Sequence, residues 1–577
     1  MQRYAIYLKC KKISIPLWQN YSMRKLLTLC FLAVATPLFS EQGTSYSLFS
    51  APSKYEVRAV WLTTIGGLDW PKCYAQSPRS AKKQQEELIA TLDKLQRGGI
   101  NQVFLQTRIR ATTIYPSRYE PWDGCLSGRP GKSPGYDPLA FAIAECHKRG
   151  MELHAWMVIM PIGKWNQPGC KQLRQQHPRL VKRIGAEGYM DPEQPQTADY
   201  IANLCEEIAR NYNLDGIHLD YIRYPETWRI RVRHNEGRRN ITRIAQAARN
   251  RVKAIKPFLK MSCSPIGKFD DLSRYRSHGW NAYSRVCQDA QGWLRDGIMD
   301  ELLPMMYFRG TQFYPFAIDW QENTYGRIVA PGLGIYFLSP NEKDWPIEVV
   351  TRQMNVLRRL GLGHAYFRSR FFTDNLKGVY SFAANHFDAA PALVPPLTWE
   401  DAGKPAAPSS LQITDGRLSW TDAQTGDISY NVYCSQTYPV NTADGNTLVC
   451  ARLNAKSIAI NGSHTNLYYA ITAMNRYGME SEPLQMDIET TGDTATPNAF
   501  IPCDGQWLIL PEQVAKGSNM LVIEDITGQM VRIGTRSGRQ VNVGTLAEGL
   551  YQLRTVNARG TSHRVGFFRV KRGQRQP

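Results

Sequence analysis

At 577 residues the chain is longer than one hydrophobic core organises, so one large domain with smaller companions is expected. A composition of 43% hydrophobic and 21% charged residues, with 14 Trp, excludes a disordered or fibrous protein. The net charge of +20 favours anionic surroundings, and much of it gathers in one run, Arg229 to Lys253.

At the N-terminus, Arg24 and Lys25 precede an apolar run, Leu26 to Phe39, followed by Ser40-Glu41-Gln42. This is the layout of a secretory signal, and the run is shorter than the about 20 residues of a membrane helix. Residues 1–40 are read as the signal, with Met1 and Met23 equally good starts. Cys30 lies inside the apolar run, which argues against a lipoprotein site. The mature protein is therefore expected to be periplasmic, cell-surface or secreted, with no membrane span after signal removal.

From 54 to 390, strand-like runs alternate with helix-length segments. The runs are Glu56–Thr64, Ile100–Arg108, Glu152–Ile159, Gly216–Arg223, Lys260–Gly267, Glu301–Phe308, Ile328–Phe337 and His364–Phe371. Between them, Leu88, Leu92 and Leu95 mark one face of a helix, and 201–208 and 349–360 repeat the spacing. Eight strand and helix repeats close most simply into a (β/α)8 TIM barrel. In such barrels the active site lies at the C-terminal ends of the strands. Those ends carry Trp61, Asp69, Arg108, His154, Trp156, Asp220, Tyr307, Tyr336 and Arg368.

Prolines 391, 395, 396 and 405 mark a linker over 391–405. Two small all-β, sandwich-like domains are expected beyond it, over 406–490 and 493–577. Outside Cys10 and Cys30, the 12 cysteines form no CxxC pair and no Cys/His cluster at zinc spacing, so neither metal nor other cofactor is read from them. Cys434 and Cys450 lie in neighbouring β-type runs and are read either as a disulfide or as separate buried thiols. The basic run at 229–253 reads as a solvated helix face. An exported protein also meets little nucleic acid, which is not expected as a partner.

Glycosidic hydrolysis generally needs two carboxyl groups flanking the scissile bond. Asp220 is the first choice, because alternation with Ile217 and Leu219 aims His218 and Asp220 to one side, towards the barrel interior. Glu226, Asp69 and Asp191 are the candidates for the partner, Asp191 reading better as a structural cap. Trp61, Trp156, Tyr224, Tyr307 and Tyr336 offer apolar platforms for sugar rings, or core packing in the case of the two tryptophans. Arg108, His154, His218 and Arg368 offer polar contacts to substrate.

The stretches EVRAVWLTT, LDWP, YPSRYEPW, PGYDPLAFAIAECHKRGMELHAWM, DGIHLDYIRYP and HAYFRSRFFTDN resemble the glycosyl-hydrolase-like family ten over residues 54–388. The resemblance implies a bacterial glycosidase barrel with its site around Asp220, and links to the glycan strands of peptidoglycan. The sequence departs from that pattern at Thr112-Thr113, where an acidic residue is expected before Tyr-Pro. Chitinases place a Glu two residues beyond the last Asp of strand four, where this chain has Ile222. The α-amylase clan reads DGFRLD there, close to DGIHLD, but its strand-five Glu has no counterpart near Asp270 and Asp271. LSWTD, YNVYCS and YYAITAMNRYGMES resemble a fibronectin type III domain. VIEDITGQMV with LAEGLYQLR and a basic last strand resembles the C-terminal sorting domains of Bacteroidetes, which implies secretion machinery as a partner. The expected function is an exported glycoside hydrolase acting on a cell-wall or other polysaccharide. The alternative is a non-catalytic glycan-binding surface protein on the same scaffold.

Overall fold

The computed structural model describes residues 53–486 and 501–570, apart from 276, 278, 415, 461–466, 511–513, 515–519, 526–529, 535, 538 and 557–561. The expected signal lies outside the described residues.

The large domain is built on one curled sheet of nine strands, all parallel. They are β1 (Arg58–Leu62), β2 (Gln102–Arg108), β3 (Glu152–Val158), β4 (Gly216–Asp220), β5 (Lys260–Ser264), β6 (Glu301–Leu302), β7 (Ile328–Val329), β8 (Gly332–Leu333) and β9 (His364–Tyr366). Their order is β7-β6-β5-β4-β3-β2-β1-β9-β8. The outermost members, β7 and β8, are separated in the chain by Ala330 and Pro331 alone, and Met305 beyond β6 also bridges to Gly332. One short run thus holds β6 on one side and β9 on the other.

β1 and β2 are buried along their whole length, as strands covered on both faces require. The covering helices use the expected stripes. The helix Pro78–Arg97 starts at a Ser77/Ser80 capping box with Pro78 in its first turn, and buries Leu88, Leu92 and Leu95. Each such leucine contributes about 1.5–3 kcal/mol. The helices Gln196–Asn211 and Ile347–Arg359 bury Ile201, Leu204 and Ile208, and Val350, Met354 and Leu357. The helix His234–Ile255 carries the basic run from Arg238 onward, while Arg229, Arg231 and Arg233 precede it; part of the helical charge is consumed by packing. Arg238 lies over the Tyr283 ring at 3.8 Å, Arg243 donates to the Pro192 carbonyl, and Arg251 pairs with Glu206 at 2.6 Å.

Several expected runs end early. Pro304 and Pro331 cannot donate to a ladder, and the strands beside them shrink to two residues each. His364–Phe371 leaves the sheet at Tyr366 and enters the helix Ser369–Thr373. The sequence reading also missed a three-stranded antiparallel sheet in the loop after β3, formed by Pro161–Lys164, Val181–Ile184 and Glu187–Met190.

Residues 409–485 form a three-stranded and a four-stranded sheet, both antiparallel. Residues 507–570 form another such pair. Cys434 and Cys450 are free thiols. The register sets Cys450 opposite Val432, diagonal to Cys434, where Cα atoms stand about 7–8 Å apart and a disulfide does not close.

The first of these β modules seals the end of the large domain where the strands begin. Arg452 reaches both Glu152, at the start of β3, and Asp215, just before β4, at 2.9 Å each. Arg476 donates to the Leu214 carbonyl at 2.6 Å. Burial alone raises the Asp215 carboxyl, but His147 and Arg452 overrule it and hold it well below the usual range. Glu152 is held low by Lys260 and Arg452 against the same burial. The opposite end, where the strands finish, is left to the loops.

Candidate active site

Asp220 closes β4 with its backbone still in the ladder, its carbonyl accepting from the Ile159 amide. The next residue, Tyr221, takes a left-handed conformation (φ 57°), which turns the chain out of the sheet. That turn brings the Tyr221 amide onto Asp220 Oδ1 at 2.8 Å. Ser264, directly across the ladder on β5, donates its hydroxyl to the same oxygen at 2.6 Å. The Trp156 indole N–H from β3 donates to Oδ2 at 3.0 Å. Three donors from three strand ends thus fix the plane of a carboxylate that remains partly open to solvent.

Next to it stands an aromatic wall. The Tyr307 ring lies 5.8 Å from Tyr336 and 5.4 Å from Phe367. Burial, with the neighbouring Tyr336 and the negative charge of Asp220, pushes the Tyr307 phenol well up, so it stays a hydroxyl donor across the physiological range. Tyr336 and Tyr307 are both half-buried, which suits rings that meet a ligand on one face.

Other expected site residues lie elsewhere. His218, two residues before Asp220, points the same way but one layer deeper and is fully buried. Its Nε2 accepts from the Trp61 indole at 3.4 Å, which leaves Nδ1 to donate to Ser262 at 2.9 Å. Burial, with His154 nearby, pushes His218 well down, so it is neutral. His154 lies deeper still, bonded to Gln102 and Glu152. Gly216 has no side chain because a Cβ there would lie 2.4 Å from the His154 ring. Both histidines are fully buried in the interior of the sheet.

Arg108 is also wholly buried. Its guanidinium is spent on a two-pronged pair with Glu120, at 2.7 and 2.8 Å, and on the carbonyls of Val158 and Ile159. It braces the ends of β2 and β3 from below. Tyr224 is fully buried against Trp228, and Trp61 is buried among Phe104, His218 and Phe367, so neither ring is a platform. Trp156, 4% exposed, acts on Asp220 through its N–H.

The partner carboxylates are both tied. Asp69 pairs with Arg368 and accepts the Thr63 amide at 2.9 Å, with its side chain 2% exposed. Arg368 is thereby an anchor for the first loop. Glu226, 44% exposed, pairs with Arg223 at 2.7 Å and accepts from the Tyr221 hydroxyl. Among the described residues neither carboxylate bonds to Asp220; Glu226 is linked to it only through Tyr221, whose amide donates to Asp220 and whose hydroxyl donates to Glu226. Asp191 caps its own turn through the Glu193 amide at 3.1 Å, as a structural residue does.

Comparison with known proteins shows the family of the large domain. The glycosyl hydrolase-like 10 family model matches residues 56–237 and 229–336, a span that includes Asp220, Ser264 and Trp156. The Bacillus subtilis protein named glycosyl hydrolase YngK is 29% identical over 413 residues, covering 64% of this chain and 79% of that protein. The Escherichia coli K12 protein named glycosyl hydrolase DigH is 30% identical over 347 residues, covering 51% of this chain and 77% of that protein. Among solved structures, the glycoside hydrolase domain of PgaB (BpsB) from Bordetella bronchiseptica aligns with a TM-score of 0.40 and 13% identity, over 57% of this chain and 98% of that one. The α-L-fucosidase isoenzyme 2 of Paenibacillus thiaminolyticus aligns with a TM-score of 0.38 and 14% identity, over 57% and 49%. On the strength of the family match and the 30% identity to the Escherichia coli protein, the chain belongs to the glycosyl hydrolase-like 10 family.

Proposed function

We propose that the protein is an exported glycoside hydrolase that cleaves a cell-wall glycan of peptidoglycan type, or a related polysaccharide, on a closed (β/α)8 barrel with Asp220 at its centre. The observation that carries this reading is the Asp220 carboxylate, held by Trp156, Ser264 and the Tyr221 amide beside the Tyr307 and Tyr336 rings. A carboxylate fixed at a strand end can stabilise the positive charge that develops at the anomeric carbon, or attack it. Tyr307 supplies a hydroxyl to the same space, and the aromatic wall receives the apolar face of a sugar ring. Glu226 and Asp69 remain the candidates for the second carboxyl. We read the fibronectin-like module as a brace for the far end of the barrel, and the last β domain as a sorting domain.

A second reading, a glycan-binding protein without hydrolysis, is favoured by one feature. Both candidate partner carboxylates are already engaged by arginines. Reducing-end release from a panel of polysaccharides, peptide-free peptidoglycan strands among them, separates the two. Release from one glycan supports the hydrolase; tight binding to one glycan with no release supports the binding protein.

A further inference from the structure

A cavity opens among the loops that follow β1, β2 and β3, on the same end of the sheet as Asp220. It has a volume of about 400 Å³ and is lined by Tyr74, Arg110, Thr112, Lys164 and Gln167, among others, but not by Asp220. The size falls within the about 300–1,000 Å³ of ligand clefts. Its lining carries two cations, Arg110 and Lys164, and one acid, Asp123. Arg110 and Lys164 are exposed, and among the described residues neither has an acid or a hydrogen-bond acceptor as partner. The one acid in the lining, Asp123, is already engaged by the Thr112 hydroxyl at 2.6 Å and the Cys125 amide at 2.8 Å. Tyr74 leaves 57% of its surface open at the rim, a platform for a sugar face.

The walls are fixed rather than loose. Gln106 accepts the Thr64 and Ile65 amides at 3.1 and 2.9 Å, pinning the first loop. Gly169 lies so close to the second loop that a Cβ there would stand 2.2 Å from the Ala111 carbonyl oxygen, which clamps the loops after β2 and β3 together. Unpaired cations around a pre-set cleft concentrate anions there, and a guanidinium beside an ammonium suits a carboxylate.

We propose that this cleft is a saccharide subsite for a carboxylate-bearing sugar unit, with Arg110 and Lys164 holding the carboxylate and Tyr74 under the ring. The proposal rests on the glycan reading above and narrows it to acidic glycans. Such a carboxylate has two sources, the lactyl ethers of peptide-free peptidoglycan strands and the uronic acids of other polysaccharides.

The test is calorimetric binding to full-length Asp220→Asn protein, which prevents turnover during titration. The probes are peptide-free peptidoglycan strands, polygalacturonate, and the carboxyl-reduced form of each. Binding of a carboxylated glycan should exceed that of its reduced form, and Arg110→Glu with Lys164→Glu should weaken it at least about tenfold, since like charge then faces the carboxylate. Affinity for the reduced form should not move. The milder pair Arg110→Gln and Lys164→Gln should shift in the same direction with an unchanged unfolding midpoint. The glycan that shows the difference identifies the source. Equal binding of carboxylated and reduced glycan, or no effect of charge reversal, overturns the subsite while leaving the glycan reading intact. Failure of every probe to bind overturns both.

Discussion

Replacing Ser264 by alanine removes one hydroxyl, and with it the 2.6 Å bond to Asp220 Oδ1. The side chain is buried at the end of β5, and alanine leaves only a hydroxyl-sized gap, so the fold should hold. A hydrogen bond to a charged acceptor is worth about 1.5–3 kcal/mol. If the reaction depends on the Asp220 plane being fixed, that energy is lost where charge develops, and kcat/KM should fall about 10- to 150-fold. The assay is the initial rate of reducing-end release, with urea unfolding as the control for fold. In an Asp220→Asn background the same change should add little, because the two residues act as one unit. An Ser264→Ala enzyme within twofold of wild type, alongside an inactive Asp220→Asn, would show that the carboxylate is positioned by something else.

Three further outcomes are expected. Tyr307→Phe should keep the unfolding midpoint and lower kcat more than it raises KM, as seen in steady-state kinetics, because the ring wall remains and only the hydroxyl beside Asp220 is lost. Arg452→Met should cost about 1.5–3 kcal/mol in urea unfolding at neutral pH by removing charged hydrogen bonds from Glu152 and Asp215, which keep Lys260 and His147. Both carboxyls are lowered in the folded state, so their contribution is full above the unfolded value of about 4 and disappears as pH falls below it; the gap between wild type and variant should narrow with acid. Glu301 behaves in the opposite sense: burial raises it to about 7, so wild-type stability should decline as pH rises from about 4.5 to 7, by roughly 3 kcal/mol. Glu301→Gln should flatten that slope, and an unchanged slope would refute the assignment.

The layout of the large domain was legible because its strands are buried on both faces and so read as unbroken apolar runs, while Leu88, Leu92 and Leu95 repeat at helical spacing. Alternation along β4 also gave the direction of Asp220. It did not give depth: His154 and His218 point inward as Asp220 does, yet lie in fully buried layers beneath it. Arg108 was placed at the mouth because it ends a strand, and nothing local shows that Glu120, in the loop that follows, claims its guanidinium. Nothing in KMSCS marks Ser264 as a site residue, and only the Asp220–Ser264 register gives its hydroxyl a role. The sequence hint was its place at the end of the neighbouring strand.

The most direct test of the account is the rate of glycosidic cleavage by Asp220→Asn against wild type on peptide-free peptidoglycan strands, at matched fold content by circular dichroism. Wild type should release reducing ends and the variant should lose that release while still binding the strands. A variant that cleaves as fast as wild type would contradict it, because a hydrolase whose chemistry is indifferent to Asp220 does not use the site described here.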